Sequence, residues 1–143
     1  MRKPCVVDAS VAVKWFVPEE ASELADEVAA SGMRLLAPKL IAHEVANSFW
    51  KKVRKRLLSP DAAQERLSAL PRYFDLLLDT DDLVGPALAL ACVYDHPVYD
   101  FIYLEAARRH DAVLLTADDR LARKLAGSAH GSILVRLADW RAE

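Results

Sequence analysis

Five short runs made almost wholly of apolar residues recur along this chain, and they constrain its fold more than any other feature. They lie at 4–7, 34–37, 76–78, 112–116 and 133–137. A strand with one face in water alternates apolar and polar residues. These runs do not alternate, so each is expected to be a strand covered on both faces. Between them lie stretches with helical spacing. Residues 9–16 read as a short helix that stops before Pro18, because proline disfavours helical backbone in the residue ahead of it. Residues 19–31 place Leu24 and Val28 on one side and end at Gly32, where a helix-terminating glycine belongs. Residues 40–56 form a long helix. Ser59-Pro60-Asp61 opens the next, with a capping serine and then proline at the first helical position; it ends near Pro71. Further helices are expected at about 86–94, 99–110 and 118–126, and residues 126–132 form a surface loop. Strands alternating with helices imply a parallel sheet with helices on both faces. A chain of 143 residues without repeats or linkers is expected to be one domain, 1–143.

Composition limits the function. A hydrophobic fraction of 53% and a charged fraction of 28% belong to a folded chain, not a disordered one. The formal net charge of −2 excludes an overall basic field, so contact with nucleic acid must rely on local charge. Lys51, Lys52, Arg54, Lys55 and Arg56 provide such a cluster, although cations also suit the C-terminal end of a helix dipole. Cys5 and Cys92 lie in apolar stretches and are expected to be buried thiols. Neither has the spacing of a zinc ligand. No apolar run approaches the ~18 residues needed to span a bilayer. No secretory leader precedes the first strand, so the expected location is the reducing cytoplasm, away from membranes.

The candidate chemistry lies in carboxylates. Asp8 directly follows the first strand, and Asp118 follows the fourth by two residues, so both belong at one edge of the sheet. Parallel α/β sheets bind ligands at that edge, near a reversal of strand order. Asp100 opens a helix, and Glu44 lies in the first turns of the long one. Taken singly, an aspartate at a helix start is an ordinary cap. As a set they imply more. Two carboxylates ~4 Å apart repel by ~1 kcal/mol in water and ~4 kcal/mol at an effective dielectric near 20. A convergent quartet therefore needs protons or a cation, and hard oxygen donors select Mg²⁺ or Mn²⁺. Such ions activate water and clamp a phosphodiester, which is nuclease chemistry. Glu44, Asn47, Ser48, Lys51 and Lys55 follow helical spacing and form a polar stripe from an acid to the basic cluster. Lys51 and Lys55 are candidate contacts for a phosphate backbone. Tyr103 shares a helical side with Asp100 and is a candidate for stacking a base.

The residues Val6-Val7-Asp8-Ala9-Ser10-Val11, Glu44-Val45-Ala46-Asn47, Tyr99-Asp100-Phe101-Ile102-Tyr103-Leu104-Glu105-Ala106-Ala107 and Leu115-Thr116-Ala117-Asp118-Asp119-Arg120-Leu121 resemble, in order and spacing, those of PIN-domain proteins, in particular the VapC toxins of toxin–antitoxin pairs. The resemblance covers about residues 4–140. It implies a three-layer α/β/α sandwich around a central parallel sheet, and a Mg²⁺-dependent endoribonuclease in which Mn²⁺ substitutes. It implies that Asp8, Glu44, Asp100 and Asp118 bind the metal, most securely Asp8 and Asp100. Ser10, Asn47 and Thr116 match polar positions that orient metal ligands. It further implies a homodimer, an RNA substrate and a small antitoxin that wraps the groove and blocks the acids. Asp119, beside Asp118, either faces the metal or starts the helix. The alternative reading is a PIN-like metal- and partner-binding module with little or no turnover. A haloacid-dehalogenase-type phosphatase is disfavoured, because that chemistry needs an acid two residues after its nucleophile and Ser10 stands there.

Overall fold

Strands β1 (Cys5–Val7), β2 (Leu35–Pro38), β3 (Leu76–Leu78), β4 (Val113–Thr116) and β5 (Leu134–Arg136) form one sheet in the order β3-β2-β1-β4-β5. Every neighbouring pair is parallel. This is the architecture in a computed structural model, which describes residues 2–142. The central strands have the continuous burial that their composition predicts: Val6, Leu36 and Leu115 are fully enclosed. In register, Cys5 lies opposite both Leu35 and Val113, and Val7 opposite Leu115.

Helices α1 (Ala9–Ala12) and α2 (Ser22–Ala30) connect β1 to β2, and α3 (Leu40–Arg54) and α4 (Pro60–Ala69) connect β2 to β3. Helices α5 (Val84–Tyr94) and α6 (Val98–Arg109) carry the chain back across the sheet to β4, and α7 (Asp119–Leu125) leads to β5. The first two connections step one way along the sheet and the last two step the other. Right-handed crossovers therefore place α1–α4 on one face and α5–α7 on the other. The direction reverses between β1 and β4, which leaves a crevice at their carboxyl ends.

Local chemistry explains the boundaries. Ser59 caps α4 by accepting the Ala62 N–H at 3.1 Å, with Pro60 at the first position. Gly32 takes a φ of 78° just beyond α2. Pro38 closes β2 as its last residue, paired with Leu78, and does not stand outside it. Helix α5 begins at Val84, ahead of the expected start, because Pro86 lies within its first turn, where no N–H is required. The expectation for Cys92 is overturned: it is exposed, while Cys5 is buried. Helix α5 is apolar on all sides, so spacing cannot say which side faces the core; it packs through Ala87 and leaves Val84, Leu88 and Val93 exposed.

The connection from α7 to β5 leaves no room at Gly131, where a Cβ would lie 2.7 Å from the Leu125 carbonyl oxygen. Gly131→Ala is expected to cost about 1–3 kcal/mol. A lower urea midpoint at unchanged slope would show it, and an unchanged midpoint would mean the loop yields freely.

Candidate active site

Strand β1 delivers Asp8 to the crevice. Its backbone N–H donates to the Leu115 carbonyl at 3.0 Å, which continues the β1–β4 pairing by one residue. Asp8 stands at the start of α1, yet its side chain makes no capping bond there. Its Oδ2 instead accepts hydrogen bonds from Ser10 Oγ and from Thr116 Oγ1, both at 2.8 Å. Those hydroxyls are themselves held, because Ser10 Oγ accepts the Ala117 N–H and Thr116 Oγ1 accepts the Asp118 N–H, each at 3.0 Å. One carboxylate oxygen is thus fixed by two hydroxyls whose own lone pairs are occupied by the loop after β4.

The other three acids each face a donor from the protein. Glu44, half-buried on α3, accepts from the Tyr103 hydroxyl at 2.6 Å. Asp100, in the first turn of α6, has Oδ2 2.6 Å from His96 Nε2. Asp118 caps α7, accepting the Arg120 backbone N–H at 2.9 Å, and pairs with the Arg120 guanidinium at 3.3 Å. Asp119 turns away to Arg136 Nε at 3.1 Å, so it pairs with the β5 side of the molecule and not with the acids.

The electrostatics ties three acids together. Burial, aided by the nearby Asp100 and Glu44 carboxylates and opposed by the two hydroxyls, brings the Asp8 carboxyl up to about 7. Glu44 is raised by burial and by Asp100, opposed by the Tyr103 hydrogen bond. Burial pushes Asp118 up too, but the hydrogen bonds and charge of Arg120 outweigh it, and the net shift is down. Among the described residues, no three carboxylate, imidazole or thiol groups converge tightly enough to enclose a metal ion as they stand. The donor set nevertheless fits a hard cation. It is all oxygen, it has one carboxylate rigidly oriented, and Asp8 and Glu44 carry charge that burial and their neighbours disfavour.

Two expected roles are corrected. Tyr103 is fully buried, so its ring has no open face on which a base could stack; the hydroxyl faces Glu44 instead. Asn47 is exposed and makes no side-chain hydrogen bond to the acids among the described residues. Lys51 and Lys55 line a groove that runs between α1 and α3 to Ser10, beside Asp8. His96 and Arg120 are additional groups at the acids. The signal for His96 is its place four residues before Asp100 and directly before Pro97. The αL turn at Asp95 and the bond from His96 N–H to the Ala91 carbonyl fold it back onto that acid.

Comparison with known proteins places this geometry in a family. The PIN domain model matches residues 5–126. The chain belongs to the PIN domain family. It is 38% identical over 121 residues to Ribonuclease VapC3 of Pyrobaculum aerophilum, covering 83% of this chain and 92% of that protein. The fold resembles the crystal structure of PAE2754 from the same organism, with a TM-score of 0.69 and 22% identity over 95% of this chain and 85% of that one. It also resembles a chain of a toxin–antitoxin complex from Klebsiella pneumoniae, with a TM-score of 0.66 and 19% identity over 93% of this chain and 97% of that one.

The raised Asp8 carboxyl makes a signed prediction for metal-free protein. Below pH 3.8 Asp8 is protonated in both folded and unfolded states. Between 3.8 and about 7 the unfolded chain gives up the proton and the folded one keeps it, so stability falls as pH rises. The full loss is up to about 4 kcal/mol. In EDTA, Asp8→Asn is expected to remove this part of the slope and to be the more stable protein at pH 8. Parallel stability–pH curves for the two proteins would contradict the burial of a costly charge at Asp8.

Proposed function

We propose that this chain is a Mg²⁺-dependent endoribonuclease, the toxin of a toxin–antitoxin pair, with Mn²⁺ as a working substitute. The observation that carries the reading is Asp8. It is an acid buried at the strand-order reversal, gripped by two hydroxyls and raised by burial and two further acids. A buried, rigidly oriented carboxylate beside other acids is a fitting ligand for a hard divalent cation. The family and the ribonuclease relative at 38% identity make the chemistry phosphodiester cleavage in RNA.

Asp8 and Asp100 would hold the cation most directly, with Glu44 and Asp118 as the further carboxylates of the set. Bound Mg²⁺ supplies charge at the phosphoryl oxygens and lowers the pKa of a water. Ser10 and Thr116 keep one Asp8 oxygen occupied and so aim the other. Tyr103 holds Glu44 in place from within the core. Lys51 and Lys55, exposed along the groove from Ser10, attract the RNA backbone. The partner is a small antitoxin that covers the acids, in keeping with the toxin–antitoxin complex among the structural neighbours.

A second copy of the chain is proposed to cover α5. That helix has no charged residue, and it exposes Val84, Leu88 and Val93, so two copies pack there without charge repulsion. No helix among the described residues is long and apolar enough to cross a membrane. We place the protein in the cytoplasm with its RNA substrate.

Purified protein is expected to cut RNA internally with Mg²⁺ or Mn²⁺ and to stop in excess EDTA. Asp8→Ala or Asp100→Asn should lower the rate by more than roughly 100-fold, beyond the 10–100-fold typical of losing a partner to a metal ligand. Cleavage that persists in EDTA, or in Asp8→Ala, overturns the proposal. Mg²⁺ at 100 times its dissociation constant is expected to add about 2.7 kcal/mol of stability. That stabilisation without cleavage of any RNA would instead favour a metal- and partner-binding module.

A further inference from the structure

The acids are flanked by basic residues on two sides. The groove between α1 and α3 belongs to one face of the sheet. Of its cations, Lys52 is tied to Glu19 at 2.8 Å, and Lys14 donates to the Glu20 carbonyl at 2.7 Å. Lys51 and Lys55 have no side-chain partner among the described residues and are exposed.

A second cleft, about 360 Å³, opens between the α5–α6 turn and α7. It is lined by His96, Pro97, Asp100, Arg120, Arg123 and Lys124, three cations to one carboxylate. Lys124 is fixed there, with Nζ donating to the carbonyls of Asp95 at 2.8 Å and Tyr94 at 3.2 Å. These contacts are to neutral carbonyls, so its charge stays uncompensated. Arg120 reaches across to Asp118. Arg123 is exposed and has no side-chain partner among the described residues. It stands in the last turn of α7, where a cation suits the helix dipole, and its guanidinium stays available to a ligand. Asp100 belongs to the lining, so the cleft is continuous with the acids.

The topology sets the two basic regions against each other. Helices α1 and α3 lie on one face of the sheet and α6 and α7 on the other, and the acids lie at the edge between them. A polyanion that crosses this edge has phosphates on both sides of the bond beside Asp8.

We propose that the α6–α7 cleft is a second phosphate-binding subsite. It holds the RNA strand on the side of the cut opposite Lys51 and Lys55, with Arg123 as its free cation and Lys124 and Arg120 completing it. This inference rests on the RNA-cleavage reading above. It follows that the strand is gripped on both flanks of the scissile bond, so the enzyme needs no free RNA end. A single-stranded backbone tracked by a charged groove also binds with strong salt dependence.

The test uses the full chain and an RNA oligonucleotide with a mapped cut, plus two shortened forms. One lacks most of the 5′ flank and the other most of the 3′ flank. Arg123→Glu and Lys51→Glu are compared with wild type by KM, with thermal melting to confirm folding; both residues are exposed, and Arg123→Gln and Lys51→Gln are milder versions of the same test. Both reversals are expected to raise KM about tenfold on the full oligonucleotide, the effect of losing about 1.4 kcal/mol of binding. On one shortened form only Arg123→Glu should matter, and on the other only Lys51→Glu. Arg123→Gln should also reduce the slope of log KM against log salt by about 0.7, the value for one phosphate contact on a single strand. An unchanged KM for Arg123→Glu, or sensitivity of both variants to the same flank, overturns the second subsite. Wild type that cuts no RNA with Mg²⁺ overturns the earlier reading and this one together. Metal-dependent cutting with an indifferent Arg123 overturns this one alone.

Discussion

The pairing of β1 with β4 is the constraint on which the rest depends. These strands are more than a hundred residues apart in the chain, and they meet where the direction of the sheet reverses. Neither connection can cover the crevice at their carboxyl ends, because the helices on each side pack on opposite faces. The two loops that leave β1 and β4 therefore lie side by side at an open edge. The hydrogen bond from Asp8 N–H to the Leu115 carbonyl extends the ladder into that edge. Ser10 and Thr116 then join the two loops through a single carboxylate oxygen, so the strand pairing that builds the core also orients Asp8.

The site is a set of negative charges held against their repulsion by local donors. Tyr103 reaches Glu44 from α6 on the opposite face, His96 holds Asp100, and Arg120 holds Asp118. Glu44, Asp100 and Asp118 each have one partner residue, whereas Asp8 has two hydroxyls and, among the described residues, no cation bonded to it. Burial above all, together with the nearby Asp100 and Glu44 charges, raises the Asp8 carboxyl to about 7. Arg120, at the edge of the α6–α7 cleft, pairs directly with Asp118, so that cleft adjoins the acids.

Much of this was legible in the residues. The five apolar runs predict five strands, and each appears with its ends shifted by no more than about a residue. The helix starts follow Ser59-Pro60, and the left-handed end of α2 falls on Gly32, because caps and glycines act locally. Asp8 and Asp118 were placed at one edge by their positions after strands, which needs only that the sheet be parallel. What failed depended on which side of an element faces inward. Cys92 lies on a helix that is apolar all round, so its exposure could not be read from spacing. Tyr103 shares a helical side with Asp100, but that side leads under Glu44 into the core and not out to solvent. Asn47 follows the stripe of Glu44 and Lys51, yet the stripe turns it outward.

The sequence by itself determined the strands, the parallel sheet, and the place of Asp8 and Asp118 after strands, because these depend on side-chain chemistry and short-range periodicity. The family resemblance in its motifs pointed to an acidic quartet in the same residues. Only the tertiary structure decided what each acid touches. Tyr103 under Glu44 is set by how helices from opposite faces meet at the crevice, and Asp119 on Arg136 by the packing of α7 beside β5, while His96 on Asp100 and Arg120 on Asp118 depend on how the chain folds back at the starts of α6 and α7. Contacts between residues far apart in the chain carry no local signal, and a buried tyrosine and an exposed one have the same letter.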